Sequence, residues 1–404
     1  MKNTFRSLTK FNYQIWALGS IVSNIGTWMQ RIAQDWLVLS QLTNHSGTSV
    51  GIIMALQFGP PILLVSVAGK VVDKCDHRRL LIVTQIGLAL TALCLGILVL
   101  TDLIVLWHVY LFAGLVGCIS AFDSPARQTF VTELVGDKDL SNAVALNSIL
   151  FNSAQLVGPA VSGILISIIG AGWVFLLNSL SFAAVIVSLV YMRQDELFKA
   201  KKQKNISGGF LSSLIYIRNK PELVTTFIML FILGTYGLNF PVFISTVSIT
   251  SFHGGAHLYG LLSSMMAIGS ISGALFIAGK KIYNINILIL SSIFFGVIGM
   301  ITSMITNVVL FGILLGCLGA LAQIFTTTTN SYVQLSTLPE LRGRVMAIYM
   351  GIFLGCTPLG APVVGWIADK YGPRWSLFFG AFSGCVASLV GYILQKKSIK
   401  KSVN

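Results

Sequence analysis

Charge is what this sequence has least of. Only 10% of its 404 residues are Asp, Glu, Lys or Arg, against about 25% in an average soluble protein. A water-facing surface needs many more polar side chains than that, so a soluble globular fold is excluded. Acidic residues number 13 and histidines five. No HExxH, Walker loop, nucleophile–base pair or metal-spaced Cys/His cluster is present, which argues against a membrane enzyme, an ATP-driven pump or a metal site, and implies no cofactor. The six cysteines, Cys75, Cys94, Cys118, Cys317, Cys356 and Cys385, stand singly, so no disulfide framework is expected. The sequence also lacks the alternating apolar–polar runs of a membrane β-barrel.

What is there is hydrophobicity. Hydrophobic residues make up 55% of the chain, and the mean hydropathy is +0.82. Apolar stretches recur, each close to the roughly 20 residues that span a bilayer core. Only helices or closed barrels cross lipid, so these stretches are read as helices. Twelve spans are expected, centred near Ser20, Leu56, Leu90, Leu115, Leu156, Ser181, Leu230, Met266, Phe294, Leu315, Leu354 and Phe382. The basic start, Met1 to Lys10, leads straight into a long apolar helix and is expected to be span one rather than a cleaved leader.

The net charge is +14. The basic residues fall into alternate loops, all but Arg31, Lys370 and Arg374 of the 27. The positive-inside rule then places both termini in the cytoplasm. Nucleic-acid binding is not needed to explain these charges. Three regions are expected: a six-helix half over 1–193, a cytoplasmic linker over 194–220 rich in lysine (Lys199, Lys201, Lys202, Lys204) and ending its run in Ser207-Gly208-Gly209, and a six-helix half over 221–404 with a short basic tail. The linker lysines are placed to touch anionic lipid heads.

The halves resemble each other. Span five contains Gly158-Pro159-Ala160-Val161-Ser162-Gly163, and span eleven contains Gly360-Ala361-Pro362-Val363-Val364-Gly365. Span two ends Ala68-Gly69-Lys70, and span eight ends Ala278-Gly279-Lys280. Matching spans are six apart, an even number, so the repeats run parallel about an axis along the membrane normal.

After span two comes Gly69-Lys70-Val71-Val72-Asp73-Lys74-Cys75-Asp76-His77-Arg78-Arg79. This loop resembles the G-x-x-x-D-R/K-x-G-R/K-R/K signature of the major facilitator superfamily. Gly69, Asp73, Lys74 and Arg78 fit; Asp76 and His77 depart from it. A charge cluster here makes ion pairs that hold the cytoplasmic side shut and break when it opens; the plainer reading is an ordinary basic loop. By the same resemblance Asp123, in Asp123-Ser124-Pro125-Ala126-Arg127-Gln128, would pair with the loop's basic residues, with Arg127 in the same gating group. The usual arginine earlier in span four is absent.

Span five is similar to the G-P-x-x-G-G signature of the superfamily's antiporters through Gly158, Pro159 and Gly163, with Ser162 replacing one glycine. Small residues let helices approach closely, and proline bends a helix; ordinary packing needs the same residues. With Gly26-Thr27-Trp28-Met29-Gln30, Asp35-Trp36-Leu37 and Asn147-Ser148, the chain looks like the bacterial exporter branch that includes the enterobactin exporters. The resemblance implies twelve transmembrane helices in two halves, the major facilitator fold, working as a monomer in the plasma membrane. It implies proton-driven export of a small, amphipathic molecule. The alternative is an importer or facilitator of a small nutrient.

Most acidic residues are expected in loops, Asp73, Asp139 and Asp369 among them. Asp35 alone lies well inside a span, with Arg31 one turn before it. Ser20, Asn24, Thr27, Arg31 and Asp35 share one helix face, and a polar stripe must face protein or water rather than lipid. Asp35 with Arg31 is therefore the candidate proton-coupling pair, against the alternative of a static pair orienting span one. Candidate cavity residues are Asn24, Thr27, Gln57, Asn147, Asn152, Gln155, Asn239 and Gln323, each of which alone is more often a packing hydrogen bond.

Overall fold

The structure, a computed structural model, describes residues 6–198, 210–278 and 284–403. The linker lysines Lys199 to Lys204, Ser207-Gly208-Gly209 and the repeat residues Gly279 and Lys280 lie outside the described residues. Every regular element described is helical.

Among the described residues, ten helices are long and apolar enough to cross a membrane. They are span three His77–Leu100, span four Leu106–Gly136, span five Lys138–Ile169, span six Ala171–Tyr191, span seven Pro221–Ser251, span eight Ala256–Ile277, span nine Ile285–Met304, span ten Val308–Ser336, span eleven Leu341–Tyr371 and span twelve Pro373–Lys397. Span two is an eleventh, made of Gly47–Leu63 and Val65–Lys74 with a bend of 58° between them. Pro60 and Pro61 precede that bend; each lacks the N–H an unbroken helix needs. Span one, Phe11–Leu37, has 27 residues and is the most polar of the twelve, interrupted by Ser20, Ser23, Asn24, Gln30, Arg31, Gln34 and Asp35. Each expected centre falls in a different span.

Local chemistry sets the helix ends. The Asp76 carboxylate accepts the Arg79 N–H at 2.8 Å and opens span three. Asn307 does the same for span ten through the Leu310 N–H at 3.1 Å. Spans five and eleven both stop at a glycine with positive φ, Gly170 at 86° and Gly372 at 103°. At such a positive φ a Cβ would be strained, so glycine is the residue that can turn the chain there. These two glycines extend the internal repeat beyond the motif. Spans one and seven also match, each running into a π-helical turn, Val38–Leu42 and Val247–Ser251. Large apolar side chains such as Leu18, Leu63, Leu180, Leu275 and Val309 are exposed, as lipid-facing positions must be.

The chain packs as two compact units. One comprises the described parts of Met1–Asn44, Leu56–Lys204 and Gly254–Ser264; the other comprises His45–Ala55 and the described parts of Asn205–His253 and Met265–Asn404. Each unit is thus one half of the chain in which the first stretch of span two or span eight is exchanged for its counterpart. Inside unit one, span one packs against spans five and six, and span three against span six. Inside unit two, span seven packs against spans eleven and twelve, and span nine against span twelve.

In unit two the start of span two lies on span eleven with no room for side chains. A Cβ on Gly51 would come within 2.6 Å of the Ala361 carbonyl carbon, and one on Gly365 within 2.7 Å of the Gly47 carbonyl carbon. Asp369, expected in a loop, belongs to the last turn of span eleven. Its carboxylate accepts the Gly47 N–H at 2.5 Å, the Thr48 N–H at 3.0 Å and the Ser46 hydroxyl at 2.9 Å. Span two has no acidic residue of its own in its first turn, so span eleven supplies the cap. Asp369→Ala is expected to lower stability by roughly 1 kcal/mol, the usual cost of a lost N-cap. Thermal unfolding in detergent checks this, and Asp369→Asn, which keeps an acceptor oxygen, should lose less.

Candidate functional site

Span one carries the buried carboxylate. Asp35 is 6% exposed, and its Oδ2 accepts the Tyr259 hydroxyl at 2.6 Å. Tyr259 is 1% exposed and lies in the first turn of span eight, within the stretch that belongs to unit one. Arg31 takes a different direction. Among the described residues it makes no salt bridge with Asp35; its guanidinium lies 4.6 Å above the Trp28 ring and 5.6 Å from the Phe58 ring. The reason is chemical. Arg31 has two electron-rich ring faces within reach, while Asp35 already has a donor in Tyr259.

The glycine motif of span five makes this geometry possible. A Cβ on Gly158 would meet the Trp28 Cβ at 2.6 Å, and the Ser162 hydroxyl donates to the Met29 carbonyl at 2.8 Å, so span five lies tight on span one. A Cβ on Gly163 would lie 2.8 Å from the Ala256 carbonyl oxygen. Gly260 in turn sits against the Pro159 carbonyl, and the Ser264 hydroxyl donates to the Leu156 carbonyl at 2.8 Å. Spans one and eight are therefore both pinned to span five, and the pinning brings Tyr259 to Asp35. The Gly360 and Gly365 pair repeats this in unit two, packing on Thr235 of span seven and Gly47 of span two.

Other polar groups line the same stretch of span one. Gln57 donates to the Gln34 side-chain oxygen at 3.3 Å, and Asn178 donates to Gln30 at 2.6 Å. Thr27 turns back to the Ser23 carbonyl, and Ser20 Oγ has no hydrogen-bond partner. Asn24, Asn152 and Gln155 are half-buried. Asn147 accepts from Tyr13 at 3.1 Å, further towards the start of span one. Asn239 and Gln323 belong to unit two. Asn239 bridges the helix break after Tyr236 by donating to the Thr235 carbonyl at 2.6 Å, while its Oδ1 is buried and unpartnered. Gln323 donates to Thr327 at 3.0 Å. The eight expected cavity residues are thus divided between the two units.

The expected gating residues separate. Gly69, Asp73 and Lys74 are exposed on the last turns of span two, and no group within 4 Å crowds Gly69. Arg78 caps span six by donating to the Leu189 carbonyl at 2.6 Å and the Val190 carbonyl at 3.1 Å. Asp123 does not reach the loop after span two. It accepts from Thr84 at 2.7 Å and Gln85 at 2.8 Å, and pairs with Arg127 one turn on at 2.6 Å. Three donors already surround the carboxylate, which leaves it no free oxygen for the loop. The pair nearest the loop is His77 with Glu133, at 2.7 Å. Asp139, expected in a loop, sits in span five, 7% exposed, where it binds Arg6 at 3.0 Å and Lys10 at 3.1 Å. Tyr259, Gln34 and Asn178 gave no signal in the sequence, because a lone polar residue in an apolar helix points nowhere until its neighbour is known. The one available hint was the need of Asp35 for a donor.

Comparisons with known proteins agree with this architecture. A family model described as a transmembrane secretion effector matches residues 3–403. The staphyloferrin A transporter of Staphylococcus aureus is 26% identical over 383 residues, covering 93% of this chain and 94% of that protein. The multidrug efflux pump Tap of Mycolicibacterium fortuitum is 24% identical, covering 87% of this chain and 88% of that protein. The crystal structure of a mutant form of the nucleoside transporter NupG superposes with a TM-score of 0.78 at 14% identity, over 95% of this chain and 99% of that one.

The Asp123 cluster gives a prediction about stability rather than transport. The Asp123 and Arg127 side chains are 9% and 22% exposed. Asp123→Ala leaves a largely buried guanidinium and two further donors without an acceptor. Breaking such a pair from one side costs about 3 kcal/mol or more. Thermal unfolding should show this loss, and Asp123→Asn, which keeps one acceptor oxygen, should show a smaller one.

Proposed function

The chain belongs to the transmembrane secretion effector family of the major facilitator superfamily, and from that premise we propose that it exports a small amphipathic molecule by proton antiport. It is a multi-pass membrane transporter and not an enzyme. The efflux role of Tap supports the export direction, and the staphyloferrin A and drugs handled by these relatives support the substrate class. The positive-inside distribution of lysine and arginine supports cytoplasmic termini in a bacterial plasma membrane. The proposed working form is a monomer of two six-helix halves, 1–193 and 221–404, joined by a lysine-rich linker beside lipid head groups, and the proposed mechanism is alternating access.

One observation carries the coupling: the Asp35 carboxylate, buried in a membrane helix, with a phenol rather than a cation as its direct partner. Asp35 lies in the last turn of span one, and burying an ionised carboxylate there without a charged partner is costly. A neutral donor offsets only part of that, and in this proposal the carboxylate takes up and gives back a proton during the cycle. Antiport needs this: substrate binds one form and leaves from the other. Asp35→Asn is expected to abolish uphill transport driven by a proton gradient in vesicles and to leave substrate exchange without a gradient intact. Normal pH dependence of uphill transport in this variant would remove Asp35 from the role.

The exposed Asp73 serves the cytoplasmic gate in this proposal. Its side chain has no hydrogen-bond or ion-pair partner among the described residues, so its contribution belongs to the other gating state. A pair formed in one state alone shifts the equilibrium by its whole energy, about 1–3 kcal/mol. Asp73→Asn should therefore slow transport by roughly 5- to 150-fold while thermal stability stays within about 0.5 kcal/mol of wild type. A wild-type transport rate in this variant would exclude the gating role.

A further inference from the structure

We infer that Tyr259 is a positioning residue that ties proton access at Asp35 to the first turns of span eight. The inference rests on the reading of Asp35 as the proton carrier and adds what controls the carrier.

Three features of the structure meet at this residue. First, the hydroxyl of Tyr259 donates to Asp35 at 2.6 Å, and both side chains are buried. The ionisable groups acting on Asp35 are Tyr259 and, from its own helix, Arg31. Second, the backbone around Tyr259 is clamped on both sides. Ala256 lies on Gly163, Gly260 on Pro159, and Ser264 donates to the Leu156 carbonyl. All of these contacts rest on glycine or on backbone carbonyls, so nothing but shape and a single hydroxyl holds them. Third, the helix changes unit just beyond the clamp: Gly254–Ser264 belongs to unit one, and span eight continues from Met265 in unit two.

A residue so placed turns helix movement into a change at the carboxylate. While the clamp holds, the Tyr259 hydroxyl occupies Oδ2 of Asp35 and its buried ring keeps water away. When the first turns of span eight leave span five, the hydroxyl leaves with them. Asp35 then loses its donor and meets water on the outer side, because span eight starts at the end opposite the basic loops. The proton passes from that water to the carboxylate and, in antiport, is given up to the cytoplasm. No covalent bond to Tyr259 is made or broken, and its own proton stays on the phenol. The counterpart stretch of span two is held differently, by the Asp369 carboxylate on backbone N–H groups, so the proton-linked latch occurs in one half only.

The test needs no transported substrate. Full-length protein in right-side-out vesicles is given a sudden drop in external pH, and the infrared band of a newly protonated carboxyl group is followed in time. Asp35→Asn should lack the band. Tyr259→Phe keeps the ring and removes one O–H; the band should form faster than in wild type by about tenfold, the scale of one lost hydrogen bond to a charged group. Tyr259→Gln, which restores a donor, should return the slow rate. Wild-type kinetics in Tyr259→Phe, with the band still absent in Asp35→Asn, would overturn the role of Tyr259 alone. A band that survives in Asp35→Asn would overturn the proton-carrier reading and this inference with it. A fast Tyr259→Gln beside a slow Tyr259→Phe would assign the effect to ring packing and also overturn it.

Discussion

Two helices in this protein approach a third so closely that only hydrogen fits between them. At Gly158 and Gly163 span five touches span one and the start of span eight backbone to side chain and backbone to backbone. In a bilayer there is no water to expel between helices, so packing and small residues must hold them together. Everything at the candidate site follows from this approach. Gly158 seats span one and Gly163 seats span eight, and the Asp35 and Tyr259 side chains meet because both helices rest on one another's neighbour. The same contact recurs at Gly360 and Gly365 in unit two, where it seats the start of span two and sets Asp369 over its first N–H groups.

Contacts of this kind are well matched to a moving part. Glycine and carbonyl surfaces make many small dispersion contacts and few directional bonds, and such contacts are individually worth only about 0.1–0.2 kcal/mol. They can be released together without breaking a buried ion pair. The directional bonds that do cross these surfaces are few: Ser162 to Met29, Tyr259 to Asp35, Ser264 to Leu156, and Asp369 to span two. By contrast the basic end of unit one is tied by charge. Arg6 and Lys10 on Asp139 tie the start of span one to span five, His77 on Glu133 ties span three to span four, and Arg127 pairs with Asp123 within span four. Unit one is thus bound by ion pairs at one end and by shape at the other.

The polarity of span one is the cost of the site. Span one carries a carboxylate, a guanidinium and a run of amide and hydroxyl side chains over little more than half its length. Its neighbours compensate: Tyr259 for Asp35, Trp28 and Phe58 for Arg31, Gln57 for Gln34, Asn178 for Gln30. Buried polar groups are stable only when partnered, and span one finds partners on three other spans, two, six and eight. That is why the most polar helix is also one of the most enclosed.

What the sequence determined by itself is whatever depends on composition and periodicity. The helical spans, their centres and the glycine motif shared by spans five and eleven were legible, because hydrophobic length and glycine spacing act locally along the chain. That Asp35 needs a partner was legible too, since a carboxylate among apolar residues has to be satisfied wherever it folds. Partner choice was not. Arg31 is one turn from Asp35 in sequence and was the natural partner, yet the ring faces of Trp28 and Phe58 hold it and the Tyr259 hydroxyl takes its place. Asp123 looked like a partner for the loop after span two, but Thr84, Gln85 and Arg127 fill its oxygens first. Asp369 read as a loop residue because nothing near it in sequence needs a carboxylate; the need lies at Gly47 and Thr48. In each case the sequence supplied a polar group, and the rotation and depth of the packed helices decided which donor reached it first.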